Sequence, residues 1–155
     1  MKKLLITTLI RLSLSSMVFG SQLSQEVTAK IVKSVDMHKK TMLLSGVLLA
    51  SDYKFIRSVI DVLQYRNEYV ESRTFYLGNT YKIYGMGSDG ITDLDIQIID
   101  ENGNVVIKDT QTDNLPIVEF TPTKTGKYTI KVLAYNVEEA KKSDDNLFGF
   151  ALGYK

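Results

Sequence analysis

The sequence predicts a mostly β protein: an antiparallel, jelly-roll-like β-sandwich preceded by an N-terminal helical segment. Three observations carry that expectation. From about Tyr69 to the C-terminus, apolar and polar residues alternate with a period of two. Clusters of Gly, Asn, Asp and Thr break the alternation about every eight to twelve residues, the strand spacing of a sandwich. Before Tyr69 the apolar period is closer to four, which is helical. The expected boundaries are 1–20 for a secretory signal, 21–66 for a helical segment and 67–155 for the sandwich.

The N-terminus begins with the basic run Met1-Lys2-Lys3. Leu4 to Val18 is largely apolar, interrupted by Arg11, and Val18-Phe19-Gly20 offers a signal-peptidase site. The stretch is too short for a stable membrane span. The expectation is export to the periplasm or medium, cleavage before Ser21, and no stable membrane anchor afterwards. The chain has no Cys, which excludes disulfides, lipid attachment after cleavage and thiolate metal sites.

Gln22 to about Ala50 reads as a helix. Leu23, Val27, Ile31 and Val35 recur every four residues, and lysines 30, 33, 39 and 40 cover other sides. Gly46 marks a place for a kink or an end. Ser51-Asp52 reads as the cap of a second helix, Tyr53 to Leu63, with Phe55, Val59, Val62 and Leu63 on one face. Such apolar faces need cover, from the sheet further along the chain or from another protein.

Val70 to Leu77 reads as a strand, Leu77-Gly-Asn-Thr80 as a turn, and Thr80 to Gly85 as the returning partner. Leu94, Ile96 and Ile98 alternate with Asp95 and Gln97, so one face is apolar and the other wet. Asn102-Gly103 suits a two-residue hairpin turn whose central residues both take φ > 0. Pro116 opens a strand in which Val118 and Phe120 face the core. Tyr128, Ile130, Val132 and Ala134 form the core face of the next. Glu138 to Asn146 is a charged loop. Phe148, Phe150 and Leu152, separated by Gly149, Ala151 and Gly153, form a last core strand with small residues behind it. The expected place of that strand is beside Val70 to Leu77.

Several of these residues together resemble a known family. Thr92-Asp-Leu-Asp-Ile96, Ile99-Asp-Glu-Asn-Gly-Asn104, Val118-Glu-Phe-Thr-Pro122 and Thr125-Gly-Lys-Tyr-Thr-Ile130 are similar to the bacterial pre-peptidase C-terminal domain. The resemblance covers roughly Val70 to Lys155. It implies a small jelly-roll-like sandwich, appended to secreted proteases or standing alone in exported proteins. It also implies that calcium or polymeric substrates are candidate ligands. These 155 residues include no peptidase domain.

Two groups of side chains are candidates for a site. Asp89, Asp93, Asp95 and Asp100, with Asn102, Asp109 and Asp113 nearby in sequence, supply oxygen ligands of the kind calcium takes. Their spacing is not that of an EF-hand loop. Turn chemistry is the competing explanation, because Asp and Asn bond their own backbone in turns. Nine Tyr against no Trp make the chain Tyr-rich, and Tyr76, Tyr84, Tyr135 and Tyr154 would form a binding face for a sugar or peptide. Rings capping the sandwich core explain the same residues.

No motif for catalysis accompanies them. His38 is the only histidine and falls on the predicted helix. No GxSxG, HExxH or phosphate-binding loop is present. A net charge of +1 gives no pull towards nucleic acid. The expected function is an exported non-enzymatic binding or accessory module for a protein or polysaccharide. A structural protein pairing through its apolar helices is the alternative, and a hydrolase comes last.

Overall fold

Residues 2–142 and 144–155 are described by the computed structural model of the chain, with side chains from Gln25 onward. The signal-peptide expectation therefore falls outside the residues whose side chains are described. The chain divides into two compact units, Met1–Val35 and Asp36–Lys155. The first is helical, and its described side chains, residues 25–35, are all exposed. Among the described residues no helix is long and apolar enough to cross a membrane.

Helix α1 spans Lys2–Ala50 and passes Gly46 without ending. In the second unit its buried face is Met37, Thr41, Leu44 and Leu48, spaced by four, three and four residues. The Val27, Ile31 and Val35 positions of the expected face are exposed instead. Thr41 satisfies its buried hydroxyl by donating to the Met37 carbonyl at 2.8 Å. Asp52 ends the helix with φ 62, in the left-handed region. Tyr53 N donates to Leu48 O at 3.0 Å and Asp52 N to Leu49 O at 3.3 Å, the paired bonds of a Schellman stop. Asp52 thus closes the first helix and does not cap a second.

The chain continues from this stop as a strand. β1 is Lys54–Leu63 and pairs antiparallel with β8, Asn146–Tyr154. The helical expectation for Tyr53 to Leu63 is corrected, and the sandwich begins at Lys54. Ile56, Val59, Ile60 and Val62 are β-branched, and a short apolar run fits either period until a partner strand is available.

The remaining strands are β2 Glu68–Phe75, β3 Tyr81–Gly87, β4 Ile91–Ile99, β5 Val105–Lys108, β6 Ile117–Phe120 and β7 Gly126–Val137. One sheet has the order β1-β8-β3-β6 and the other β2-β7-β4-β5. They pack face to face over Phe75, Ile83, Leu94, Ile96, Ile98, Ile130, Phe148, Phe150 and Leu152, all fully buried. The expected core faces of β4, β6, β7 and β8 are observed.

Two pairings differ from expectation. The Leu77–Thr80 turn does not make a hairpin: β2 pairs with β7, while β3 pairs with β8 and β6 in the opposite sheet. Phe75 and Tyr81, on either side of the turn, both point into the core, so the chain crosses between sheets there. β8 consequently lies between β1 and β3 and not beside Val70 to Leu77. The β4–β5 hairpin also closes differently. Gly103 N donates to Asp100 O at 3.1 Å, and only Gly103 takes positive φ, at 85°. This is a turn ending in a left-handed glycine, the three-residue loop and not the two-residue one.

The outer face of the first sheet is covered by α1. Leu44 and Leu48 pack on Ala151, Tyr53, Tyr84 and Met86. The small residues of β8 permit this approach.

Candidate functional site

The end of the sandwich where β1, β2, β3 and β8 meet holds a cleft of about 220 Å³ lined by Ile56, Arg73, Thr74, Tyr76, Asn79, Tyr81 and Tyr154. The crossing turn builds its rim. Tyr81 OH accepts from the Tyr76 backbone N–H at 3.0 Å and from Asn79 Nδ2 at 3.1 Å, which fixes the turn to the core. The Tyr81 ring is itself held edge-on by Phe75, with centroids 4.6 Å apart. Tyr76 is left 57% exposed on this rigid support. Tyr154 lies 6.1 Å from Tyr81, and Lys54 Nζ stands 5.6 Å from the Tyr154 ring centroid.

Arg73 is the one charged residue in the lining. Its guanidinium is 3.7 Å from Glu71 Oε1, beyond hydrogen-bond distance. Glu71 is turned towards Arg57, at 2.9 Å, and accepts from Tyr69 OH at 2.8 Å. Burial, reinforced by that bond to Glu71, pushes the Tyr69 phenol up to about 12. The lining contains no carboxylate, histidine or serine, so no acid–base pair or activated nucleophile is assembled there. What the arrangement offers is aromatic faces, a cation with unused donors and the neutral polar groups of Thr74 and Asn79.

The expected tyrosine face is thus half assembled. Tyr76 and Tyr154 share the cleft. Tyr84 lies under α1 beside Ala151, and Tyr135, 62% exposed, is the extra residue of β7 between the Leu94–Ala134 and Asp93–Asn136 pairs. Arg73, Asn79 and Ile56 had no signal in the sequence, since nothing local shows that the turn crosses sheets.

The four expected calcium ligands do not come together. Asp89 is solvent-exposed and pairs with Lys40 at 3.3 Å. Asp100 organises its own turn, accepting from Asn104 N at 2.8 Å, Asn102 N at 2.9 Å and Asn104 Nδ2 at 3.1 Å. The Asn104 backbone bond above all holds its carboxyl below the ordinary value. Asp93 and Asp95 lie on β4, and Asp93 is buried. Burial, then the charges of Asp109 and Asp113, push the Asp93 carboxyl up. Burial, then Asp93 and Asp109, do the same to Asp95. Among the described residues no three carboxylate or imidazole side chains form a ready-made metal shell.

No protein-family model matches the chain, and no curated protein sequence matches it. Solved structures do. The chain is similar to the pre-peptidase C-terminal domain of collagenase from Bacillus anthracis, at 16% identity over 62% of this chain and 87% of that one, with a TM-score of 0.48. It is similar to PliG of Aeromonas hydrophila, a periplasmic inhibitor of g-type lysozyme, at 10% identity over 64% and 85%, TM-score 0.48. A carbohydrate-binding module, CBM36, in complex with calcium and xylotriose, shares 10% identity over 68% and 96%, TM-score 0.38. The likeness in each case is one of fold outline.

Proposed function

We propose that the protein is an exported, non-enzymatic binding or accessory module whose sandwich end grips a polysaccharide bearing acidic groups. The observation that carries this reading is the cleft in which Tyr76 and Tyr154 flank Arg73 with no carboxylate in the lining. Tyrosine rings offer flat amphipathic faces to a sugar, with the hydroxyl free to reach solvent. An Arg whose donors are not taken by Glu71 suits a carboxylate on the ligand, bonded in bidentate fashion. Lys54 adds positive charge at the rim. Export rests on the basic start and apolar run of the N-terminus.

Calorimetric titration with a neutral polysaccharide, xylan, and an acidic one, polygalacturonate, tests the reading. Binding of the acidic polymer should weaken about tenfold, equivalent to about 1.4 kcal/mol, in Tyr76→Ala and again in Arg73→Ala. Binding that is absent for both polymers, or unchanged in both variants, would sink it.

A second reading, a structural or assembly protein, is favoured by the apolar exposure of α1. Val27, Ile31, Val32 and Val35 in the first unit are 49–61% exposed, and Met42, Leu43, Val47 and Leu49 in the second are 45–68% exposed. Light scattering decides here: a monomeric mass at micromolar concentration removes self-assembly, and a defined oligomer favours it.

A further inference from the structure

β1 presents a long open strand edge. It ends its sheet and pairs with β8 alone. It has ten residues, against four in each of the edge strands β5 and β6. The other edge strand, β2, is bordered on its outer face by Lys127 and Lys131, opposite Thr74 and Val70. Val62 N donates to Asp61 Oδ1 at 2.8 Å, so this donor points to the open side of β1 and meets a side chain there, not a strand. Backbone direction alternates along a strand, so the N–H and C=O groups of Ser58 and Ile60 face the same open side. The β1–β8 register shifts between Phe55 and Arg57, and that bulge limits the regular open ladder to Arg57 onward.

The surface above this edge is apolar. One flank of α1 faces β3: Lys40 pairs with Asp89 just beyond β3, and Leu44 and Leu48 pack on Tyr84 and Met86. Thr41 sits over Gly149, which has Ile60 of β1 on its other side. Successive helical residues turn by about 100°, so Met42 and Leu49 project from the opposite flank, towards β1. Both are exposed. So is Val62, which shares the outer face of the sheet with Ile60.

We propose that two copies of this chain pair antiparallel along β1, with Val59 opposite Val59 across a two-fold axis. In that register Arg57 of each copy lies opposite Asp61 of the other, and Ser58 lies opposite Ile60. Ser58 and Ile60 exchange the backbone bonds, which puts Arg57 and Asp61 at the closely spaced position, with Cα atoms about 4.5 Å apart. The axis makes this ion pair twice. Charges on an edge deter most strands. Opposite signs four residues apart nevertheless complement a strand of the same sequence running the other way. Arg57 spends Nη1 on Glu71 at 2.9 Å and keeps donors for a second carboxylate. Asp61 is exposed, and a pairing strand offers Val62 N a carbonyl in its place, which frees the carboxylate. Three strand spacings, about 14 Å, then separate the two helices. Met42, Leu49 and Val62 of both copies close over the seam. The interface does not depend on the polysaccharide reading. It rests on the second reading, self-assembly, and gives that assembly a defined contact.

Sedimentation velocity and light scattering of the full chain should show a dimer at micromolar concentration. Arg57→Asp sets like charges opposite each other twice and should weaken dimerisation about tenfold or more. Asp61→Arg should do the same. An equimolar mixture of the two variants places Arg opposite Asp at both positions and should restore the dimer. Ser58→Pro removes an edge N–H from an exposed residue, so it should give a monomer that is folded by circular dichroism. A wild-type chain that is monomeric throughout overturns this pairing together with self-assembly as a whole. An oligomer that persists in Arg57→Asp, Asp61→Arg and Ser58→Pro overturns the β1 pairing alone and leaves assembly to α1. A mixture of the two charge variants that stays monomeric overturns the register.

Discussion

Thr41 on α1 stands directly over Gly149 on β8: a Cβ built on Gly149 would overlap Thr41 Oγ1 and come within 3.1 Å of the Val59 carbonyl. Four residues on, Gly153 repeats the relationship, where an added Cβ would lie 3.2 Å from Leu48 Cδ2 and 3.0 Å from the Lys54 carbonyl. The helix therefore reaches the sheet because β8 carries no side chain at those points.

Gly149→Ala should destabilise the protein by about 1–3 kcal/mol, the usual cost of overpacking. Thr41→Ala removes the overlapping hydroxyl, so the double variant should recover part of the loss. Urea melts of the two single variants and the double variant measure that coupling. Purely additive effects would mean that Thr41 and Gly149 are not in contact.

Phe150 is fully buried between its neighbours Val59 on β1 and Gly85 on β3. Removing a buried Phe side chain costs about 3–5 kcal/mol, a large part of a small domain's stability. Phe150→Ala should unfold the protein or lower its urea midpoint severely. Lys155→Ala loses a cation–π contact with Tyr53, at 4.6 Å, and its charge beside Glu119, and should cost no more than about 1 kcal/mol. Its backbone bonds with Thr80 are untouched by the substitution. Equal melts for the two variants would remove β8 from the core.

Truncation separates the two sources of cover. A chain from Asp36 keeps the helical face that packs on Ala151 and keeps β1 beside β8. A chain from Tyr69 lacks both and exposes one edge of β8. The first should melt cooperatively by circular dichroism, and the second should aggregate or show no transition. Comparable melts would mean that neither α1 nor β1 supports the sandwich.

Tyr69 gives a test at alkaline pH. Its folded pKa, about 12, lies above the ordinary value of 10.0, chiefly through burial. The sign comes from linkage: the contribution is complete below pH 10 and is lost as pH rises through 12. Absorbance titration near the tyrosinate band should show late-ionising phenols, Tyr69 and also Tyr53, which burial likewise raises, and stability should fall over that interval. Tyr69→Phe should reduce the late-ionising amplitude and lessen the fall. A Tyr69 that ionises with the bulk of the tyrosines would mean that it is not buried against Phe148, whose ring lies 5.3 Å away.

How far each element could be read depends on the range of the forces involved. Alternation is local, so the core faces of β4, β7 and β8 were visible as Leu94-Ile96-Ile98, Tyr128-Ile130-Val132 and Phe148-Phe150-Leu152. The period of two fixes which side of a strand is apolar whatever its partner. The small residues of β8 were visible too, but that α1 covers them was not. The segment from Lys54 to Leu63 was ambiguous because ten residues rich in Ile and Val satisfy either period, and only pairing with β8 decides for the strand. The same limit applied to the Asn102-Gly103 turn, whose type depends on the register of both strands.

The candidate sites divide in the same way. Asp100 was recognisable as a turn residue because it bonds groups two and four positions away in its own loop. Tyr76 and Tyr154 are far apart in the chain, and only its crossing between sheets at Gly78 brings them to one cleft with Arg73. Asp93 and Asp109 were both visible as acidic residues, but that one oxygen of each is buried depends on the edge pairing of Asp109 with Ile96. Which faces are apolar, and which residue types each loop can offer, was settled by the order of residues, since both depend on near neighbours. Which strands pair, where the chain changes sheets and which carboxylates are left without a partner were settled only on folding, because each depends on contacts between segments far apart in the chain.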